Sequence, residues 1–168
     1  MNSPASVCTD RVSPAFDRCV QNSIKKVLFV CTGNTCRSPM AAAWLNHYGG
    51  EAGICASSAG LFPCVGQPIS QNAVLALADA GIPATADNRY DLHEAVRITA
   101  EMIENADAVV GISRSHTMNL ICEFPAFASK ILSMPKDIPD PYGGTAEDYA
   151  ECLFMISDAV KELFKLDV

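Results

Sequence analysis

Short apolar runs alternate with longer amphipathic segments along most of the chain. The runs that predict strands are 25–31, 55–60, 107–113 and 130–134, the second of them weakly. Helical spacing of apolar residues predicts helices over 38–50, 69–81, 98–106, 114–124 and 145–166. Strands that alternate with helices indicate a parallel sheet, because parallel strands need crossover connections. We therefore predict an α/β fold, a three-layer sandwich with a central four-stranded parallel sheet and helices on both faces.

The first part of the chain lacks this periodicity. We treat residues 1–24 as an N-terminal extension of one domain that spans residues 25–168. The net charge of −7 argues against nucleic acid and anionic membranes as general partners, because both attract Lys and Arg surfaces. No apolar run approaches membrane-spanning length, and the first residues lack the apolar block of a secretory signal. We expect a cytoplasmic protein.

The eight cysteines do not suggest a disulfide framework, because no secretion signal accompanies them. Cys122 and Cys152 lie in apolar helical patterns, and we expect them to be small buried side chains. There is no pair of Cys-x-x-Cys motifs, and His47, His93 and His116 are scattered. We therefore expect no metal site and no cofactor.

One stretch carries the chemistry: Cys-Thr-Gly-Asn-Thr-Cys-Arg-Ser-Pro, residues 31–39, between the first strand and the first helix. Such a joint directs backbone N–H groups toward one point, and the helix adds its positive end, so the loop can bind an anion. Arg37 adds a planar fork of donors that matches phosphate. A thiol in this position should be a thiolate at neutral pH, which makes Cys31 a nucleophile for phosphoryl transfer.

The residues between and after these two suit the same role. Gly33 allows backbone conformations closed to other residues, Asn34 can hold a left-handed turn, and Ser38 can donate a hydrogen bond to the thiolate. The expected phosphate-binding residues are Thr32, Gly33, Asn34, Thr35, Cys36, Arg37 and Ser38.

The whole string, with Cys-(five residues)-Arg-Ser, resembles the phosphate-binding loop of the low-molecular-weight protein tyrosine phosphatases. The similarity runs from about Lys25 to the C-terminus. It implies a cysteine-dependent phosphoprotein phosphatase that works through a phosphocysteine intermediate, with Cys31 and Arg37 as catalytic residues.

The same resemblance extends to an acid. Asp140 in "DIPDPYGG" resembles the Asp-Pro acid of the family, which protonates the leaving atom and then activates the attacking water. Pro139 and Pro141 stiffen the backbone on either side of Asp140. Asp137 is the alternative acid, but it lacks the following proline.

Two further positions bear on the loop. Ser58 matches a family serine that hydrogen-bonds the loop asparagine, here Asn34. The family often has a histidine in this network, and His93, within 85–99, is not clearly in register with it.

The substrate remains open between two phosphorylated side chains. Tyrosine-specific members commonly have a bulky aliphatic residue where this chain has Thr35, and two tyrosines where it has Tyr142 and Gly143. Both departures resemble the protein arginine phosphatase branch, and a threonine hydroxyl can hydrogen-bond a guanidinium. The other interpretation is drift among tyrosine phosphatases.

Three other functions fit less well. A thioredoxin-coupled arsenate reductase needs two further redox cysteines in mid-chain, and Cys55 and Cys64 come too early. A phosphoryl carrier of the sugar phosphotransferase type would not need Arg37 together with Asp140. A silent phosphopeptide-binding module would be expected to lack Cys31 or Asp140. We expect an enzyme that acts on a phosphorylated protein and is a monomer or weak dimer.

The second cysteine of the loop suggests redox control. Peroxide attacks a low-pKa exposed thiolate first, and Cys36 is near enough in sequence to form a reversible disulfide with Cys31. The alternative is that Cys36 is only a small packing residue.

Overall fold

The computed structural model describes residues 23–168. Its strands are β1 (Lys26–Cys31), β2 (Cys55–Gly60), β3 (Ala108–Gly111) and β4 (Ile131–Ser133). Its helices are α1 (Arg37–Tyr48), α2 (Gln71–Asp79), α3 (Ala100–Asn105), α4 (Arg114–Glu123) and α5 (Ala146–Phe164), with 3₁₀ turns at Tyr90–Leu92 and Pro125–Lys130. All strand pairs are parallel, and the order is β2-β1-β3-β4. The predicted α/β fold class is confirmed.

Alternate side chains of β1 enter two separate hydrophobic cores, as the period of a strand requires. Val27 and Phe29 pack into a cluster built with residues of α1, α2 and α5. Leu28 and Val30 pack into a second cluster with residues of α3 and α4. The sheet therefore forms the middle of three layers.

The last residue of β1 lies at the carboxyl edge of the sheet. Cys31 is paired in register with Gly60 at the end of β2, and the backbone N–H of Ile112, just beyond β3, donates to the backbone oxygen of Val30 at 3.0 Å. Ligands of parallel sheets bind outside this edge, where adjacent connections diverge. The loop between β1 and α1 is thus placed at the expected site.

The expectation for the cysteines is half right. Cys152 is buried, whereas Cys122 is exposed. Helix α4 packs on the sheet through one face that includes Leu120, and the exposed Met118 lies one turn before Cys122. Helix α4 has apolar residues on its exposed face as well as on the face that packs on the sheet. The sequence pattern therefore did not show on which face Cys122 lies.

The proposed extension lies mostly outside the described residues, which begin at Ser23. Ile24, its last residue, is partly buried against the core cluster that includes Phe29. In the part of the chain that the structure describes, no helix has the length and apolar character needed to cross a membrane.

Candidate active site

The loop after β1 wraps around the sulfur of Cys31. The thiol is buried, and its Sγ accepts a hydrogen bond from the backbone N–H of Asn34 at 3.3 Å. Ser38 Oγ, on the first turn of α1, lies 2.9 Å from the same sulfur. A backbone N–H and a hydroxyl group therefore lie within hydrogen-bond distance of the same sulfur.

The side chain of Asn34 fixes the orientation of those donors. Asn34 has a positive φ of 57° and is fully buried. Its Nδ2 donates to Ser38 Oγ and to Ser58 Oγ, both at 2.9 Å, and its Oδ1 accepts from Val96 N at 3.0 Å. Because Ser38 Oγ accepts from Asn34, its own hydrogen is available to donate, and its two acceptors are the sulfur of Cys31 at 2.9 Å and the backbone oxygen of Ala59 at 3.4 Å. The sulfur is the nearer of the two.

His93 belongs to the same network, although its register with the family histidine was not clear from the sequence. Its Nε2 lies 2.7 Å from the backbone oxygen of Asn34, to which it donates. His93 directly follows the 3₁₀ turn Tyr90–Leu92, which places it beside the loop. The spacing of residues in the sequence does not predict this turn. Burial lowers the pKa of His93.

Arg37 is the buried cation of the site. Its Nη1 donates to the backbone oxygen of Ile138 at 3.0 Å, and its Nη2 lies 3.1 Å from Asp140 Oδ2. Among residues 23–168, Arg37 Nε is the buried side-chain donor that has no hydrogen-bond partner. An unsatisfied buried donor costs about 1–3 kcal/mol, so this N–H is suited to an anion that binds beside it.

The segment 137–144, here called the acid segment, contains two aspartates with different environments. Asp137 Oδ1 accepts from the backbone N–H of Arg114 at 2.7 Å, at the start of α4. Asp140 contacts Arg37 and also accepts from Tyr142 N at 3.2 Å. Of the two, Asp140 is the one that lines the cavity together with the loop after β1.

A cavity of about 240 Å³ opens above the loop. Its floor includes the loop from Cys31 to Arg37, and Asp140 and Tyr142 line one side. Phe62, Cys64 and Gln67, from the connection after β2, line the cavity too. No motif in the sequence marks these three residues as part of the site. They follow the carboxyl end of β2, the strand next to β1, where ligand contacts are expected in a parallel sheet.

Two side chains from helices distant in sequence also contact the loop, and no sequence motif identifies either of them. His116 Nε2, in α4, lies 2.9 Å from Thr32 Oγ1; burial and the nearby charge of Arg37 lower the pKa of His116 to about 4. The hydroxyl of Tyr149, in α5, lies 3.3 Å from Cys36 Sγ, and burial raises the pKa of Tyr149 to about 12. Within the described residues, no three His, Cys, Asp or Glu side chains are grouped closely enough to hold a metal ion.

Comparison with known proteins matches this geometry to a family. The sequence model of the low molecular weight phosphotyrosine protein phosphatases matches residues 26–166. The chain belongs to this family. The predicted family and its enzyme class, a phosphatase, are confirmed.

Named relatives of this phosphatase include both branches considered above. A protein-arginine-phosphatase of Geobacillus stearothermophilus is 35% identical over 131 residues, which cover 74% of this chain and 83% of the relative. The structure of a low molecular weight protein tyrosine phosphatase from T. tengcongensis is 35% identical, with a TM-score of 0.75, and covers 84% of this chain and 98% of that one. A YwlE arginine phosphatase mutant with a phosphorylated active-site serine is 29% identical, with a TM-score of 0.74, over 83% of this chain and 93% of that one.

The phosphatase thus brings three chemical functions to one cavity. The cavity is lined by the sulfur-bearing side chain of Cys31, by the buried guanidinium of Arg37 with an Nε that is unpaired within the described chain, and by the half-exposed carboxyl of Asp140. A nucleophile, an anion-binding group and a proton donor are the components that covalent phosphoryl transfer requires.

Proposed function

We propose that Cys31 is the nucleophile, Arg37 the phosphate-binding cation and Asp140 the general acid of a phosphoprotein phosphatase. The observation that carries this proposal is the buried Nε of Arg37, which has no hydrogen-bond partner among the residues that the structure describes. The Nη2 of the same guanidinium contacts Asp140. A phosphate oxygen would satisfy the Nε donor, while the backbone of the loop binds the remaining oxygens.

The reaction runs in two steps. The thiolate of Cys31 attacks phosphorus, an S–P bond forms, and the bond from phosphorus to the leaving oxygen or nitrogen breaks as Asp140 donates its proton to that atom. A water then attacks the phosphocysteine while Asp140 takes its proton, so that phosphate leaves and the thiolate is restored. Ser38 and the backbone N–H of Asn34 stabilise that thiolate in both steps.

We propose phosphoarginine as the preferred substrate. Thr35 lines the cavity, and its hydroxyl can accept a hydrogen bond from a guanidinium N–H, which an aliphatic side chain cannot do. In residues 137–144, Gly143 has a φ of 78°, and Gly144 N donates to Pro141 O at 2.9 Å, which closes a turn. Tyr142 is the single aromatic residue of this segment, as the arginine phosphatase interpretation expects. The arginine phosphatase relatives support the same choice.

The test is a comparison of kcat/KM for two peptides that differ only in phosphoarginine or phosphotyrosine. We expect the phosphoarginine peptide to have the higher value. A higher value for phosphotyrosine would assign the chain to the tyrosine branch, and no turnover of either peptide would remove the proposal. Cys31→Ser, assayed in parallel, controls for a contaminating phosphatase.

The proposal includes a cytoplasmic location and a phosphorylated protein as the partner. The net charge of −7 supports the exclusion of nucleic acid and anionic membranes. We expect a monomer or a weak dimer, which sedimentation at several concentrations would test.

A further inference from the structure

His116 connects helix α4 to the catalytic loop through both of its ring nitrogens. The side chain is only 4% exposed. Its Nδ1 lies 3.1 Å from the backbone nitrogen of Ser113 and 2.7 Å from Ser113 Oγ. Its Nε2 lies 2.9 Å from Thr32 Oγ1, next to Cys31 in the loop.

The contact with Ser113 determines where the imidazole carries its proton. A backbone N–H can only donate, so Nδ1 must accept and cannot be protonated. The ring of His116 is therefore neutral with its hydrogen on Nε2, and it donates that hydrogen to Thr32 Oγ1.

This direction has a consequence for the hydroxyl of Thr32. A hydroxyl has one hydrogen to donate, and here its oxygen already accepts from His116. The hydrogen of Thr32 remains available for another acceptor, and Thr32 is an exposed residue that lines the cavity above Cys31.

We propose that His116 is a positioning residue that holds the Thr32 hydroxyl as a hydrogen-bond donor to an oxygen of the phosphate bound in the cavity. This inference rests on the proposed function of that cavity. It assigns a role to the side chain of Thr32, in addition to the backbone of the loop.

The charges around His116 support a neutral ring. Burial is the main reason that its pKa falls to about 4, the charge of Arg37 adds to this, and Asp140 and Asp137 act in the opposite direction. Near neutral pH the ring is uncharged, so the hydrogen bond between His116 and Thr32 keeps one direction there.

The test combines Thr32→Val, Thr32→Ser and His116→Phe with the corresponding double variant. The readouts are kcat and KM for an aryl phosphate, and the Kd of inorganic phosphate by calorimetry. We expect Thr32→Val to weaken phosphate binding about tenfold, since hydrogen bonds to charged groups are stronger than neutral ones. Thr32→Ser should retain wild-type affinity, because it keeps the hydroxyl. His47→Gln, at an exposed position of α1, is the matched histidine control.

The double variant separates positioning from general support of the fold. If His116 acts through Thr32, His116→Phe should weaken phosphate binding as Thr32→Val does and add nothing in the Thr32→Val background. Additive losses, or unchanged phosphate affinity in Thr32→Val, would overturn the proposal. If His116→Phe does not fold, His116→Gln replaces it, because the glutamine amide can accept from Ser113 N and donate to Thr32 Oγ1. This variant should keep the phosphate affinity of wild type. A loss of affinity as large as that of Thr32→Val would count against the proposal. Phosphate binding is measured without turnover, so this test gives a result whether or not either phosphopeptide is a substrate.

Discussion

Arg37 Nη2 and Asp140 Oδ2 lie 3.1 Å apart, so the cation of the phosphate-binding loop directly contacts the proposed acid. The same guanidinium donates to Ile138 O, and Asp137 is hydrogen-bonded to the first residue of α4. These contacts help to hold the acid segment in place, and two of them are made by Arg37, the residue proposed to bind phosphate. In the proposed mechanism, Arg37 therefore links phosphate binding to the placement of the acid.

This attachment predicts different effects of the two aspartates. Asp140→Asn should lower kcat by about 10²–10⁴ for a phenyl phosphate, which needs a proton on its leaving group, and less for a nitrophenyl phosphate. Asp137→Asn keeps the size of the side chain and should mainly weaken the hydrogen bond at the start of α4. Steady-state kinetics with both substrates measure the difference. A larger loss of kcat in Asp137→Asn would transfer the role of the acid to that residue.

The nucleophile is tested by Cys31→Ser. A serine hydroxyl can still accept from Asn34 N and contact Ser38, so phosphate binding should survive while turnover of an aryl phosphate disappears. Mass spectrometry after incubation with substrate should show whether the introduced serine retains the phosphoryl group, as the active-site serine does in the YwlE mutant. Cys122→Ser, at an exposed position, is the matched control and should keep full activity. Activity within tenfold of wild type in Cys31→Ser would contradict the mechanism.

Thr35 is expected to set the choice of substrate. Thr35→Ile should lower kcat/KM for the phosphoarginine peptide, because the hydroxyl that meets the guanidinium is lost, and should spare or raise it for phosphotyrosine. Thr35→Ser, which keeps the hydroxyl, should retain the wild-type ratio. An unchanged ratio in Thr35→Ile would make this threonine a neutral difference between branches.

The sequence was informative where the chemistry is contiguous. Cys31 and Arg37 lie in one short loop, and a short apolar strand before it and a proline in the next helix are local signals. The alternation of elements also predicted the parallel sheet. These inferences need no knowledge of which distant residues meet.

The sequence was uninformative where a contact depends on register between distant elements. His93 reaches Asn34 after a 3₁₀ turn, and His116 and Tyr149 reach the loop from α4 and α5. A single histidine or tyrosine in a helix has no spacing partner that would mark it. Only the strand order and helix positions bring these side chains to the loop.

The low pKa of His116 predicts how stability depends on pH. The folded pKa of about 4 lies below the ordinary 6.5, so between these values the unfolded chain binds more protons than the folded one. The free energy of unfolding should therefore fall as pH drops through this window, by roughly 3 kcal/mol at most from this residue. Urea unfolding of wild type and His116→Gln measures it, and the variant should show the smaller fall. Equal slopes in the two proteins would contradict this assignment.

The last prediction concerns Cys36, whose sulfur lies 3.3 Å from the hydroxyl of Tyr149. Burial raises the pKa of Tyr149 to about 12, so the phenol keeps its proton. Ser70 Oγ donates to the phenol oxygen at 3.1 Å, which leaves the phenol hydrogen available to the sulfur of Cys36. Peroxide should convert Cys31 to a sulfenic acid, which the thiol of Cys36 then attacks with loss of water to form a disulfide. That step must break the contact with Tyr149. We therefore expect Tyr149→Phe to form the Cys31–Cys36 disulfide faster than wild type does.

The measurement is peroxide treatment followed by disulfide mapping and addition of dithiothreitol. Wild type and Tyr149→Phe should regain activity, because dithiothreitol reduces the disulfide, whereas Cys36→Ser should lose activity irreversibly as Cys31 oxidises further. Cys152→Ser is a matched control at a second buried cysteine, one turn after Tyr149 in α5. Equal recovery in Cys36→Ser and wild type would leave Cys36 as a packing residue. A bridge from Cys31 to Cys64, which lines the same cavity, would move the protective role to the connection after β2.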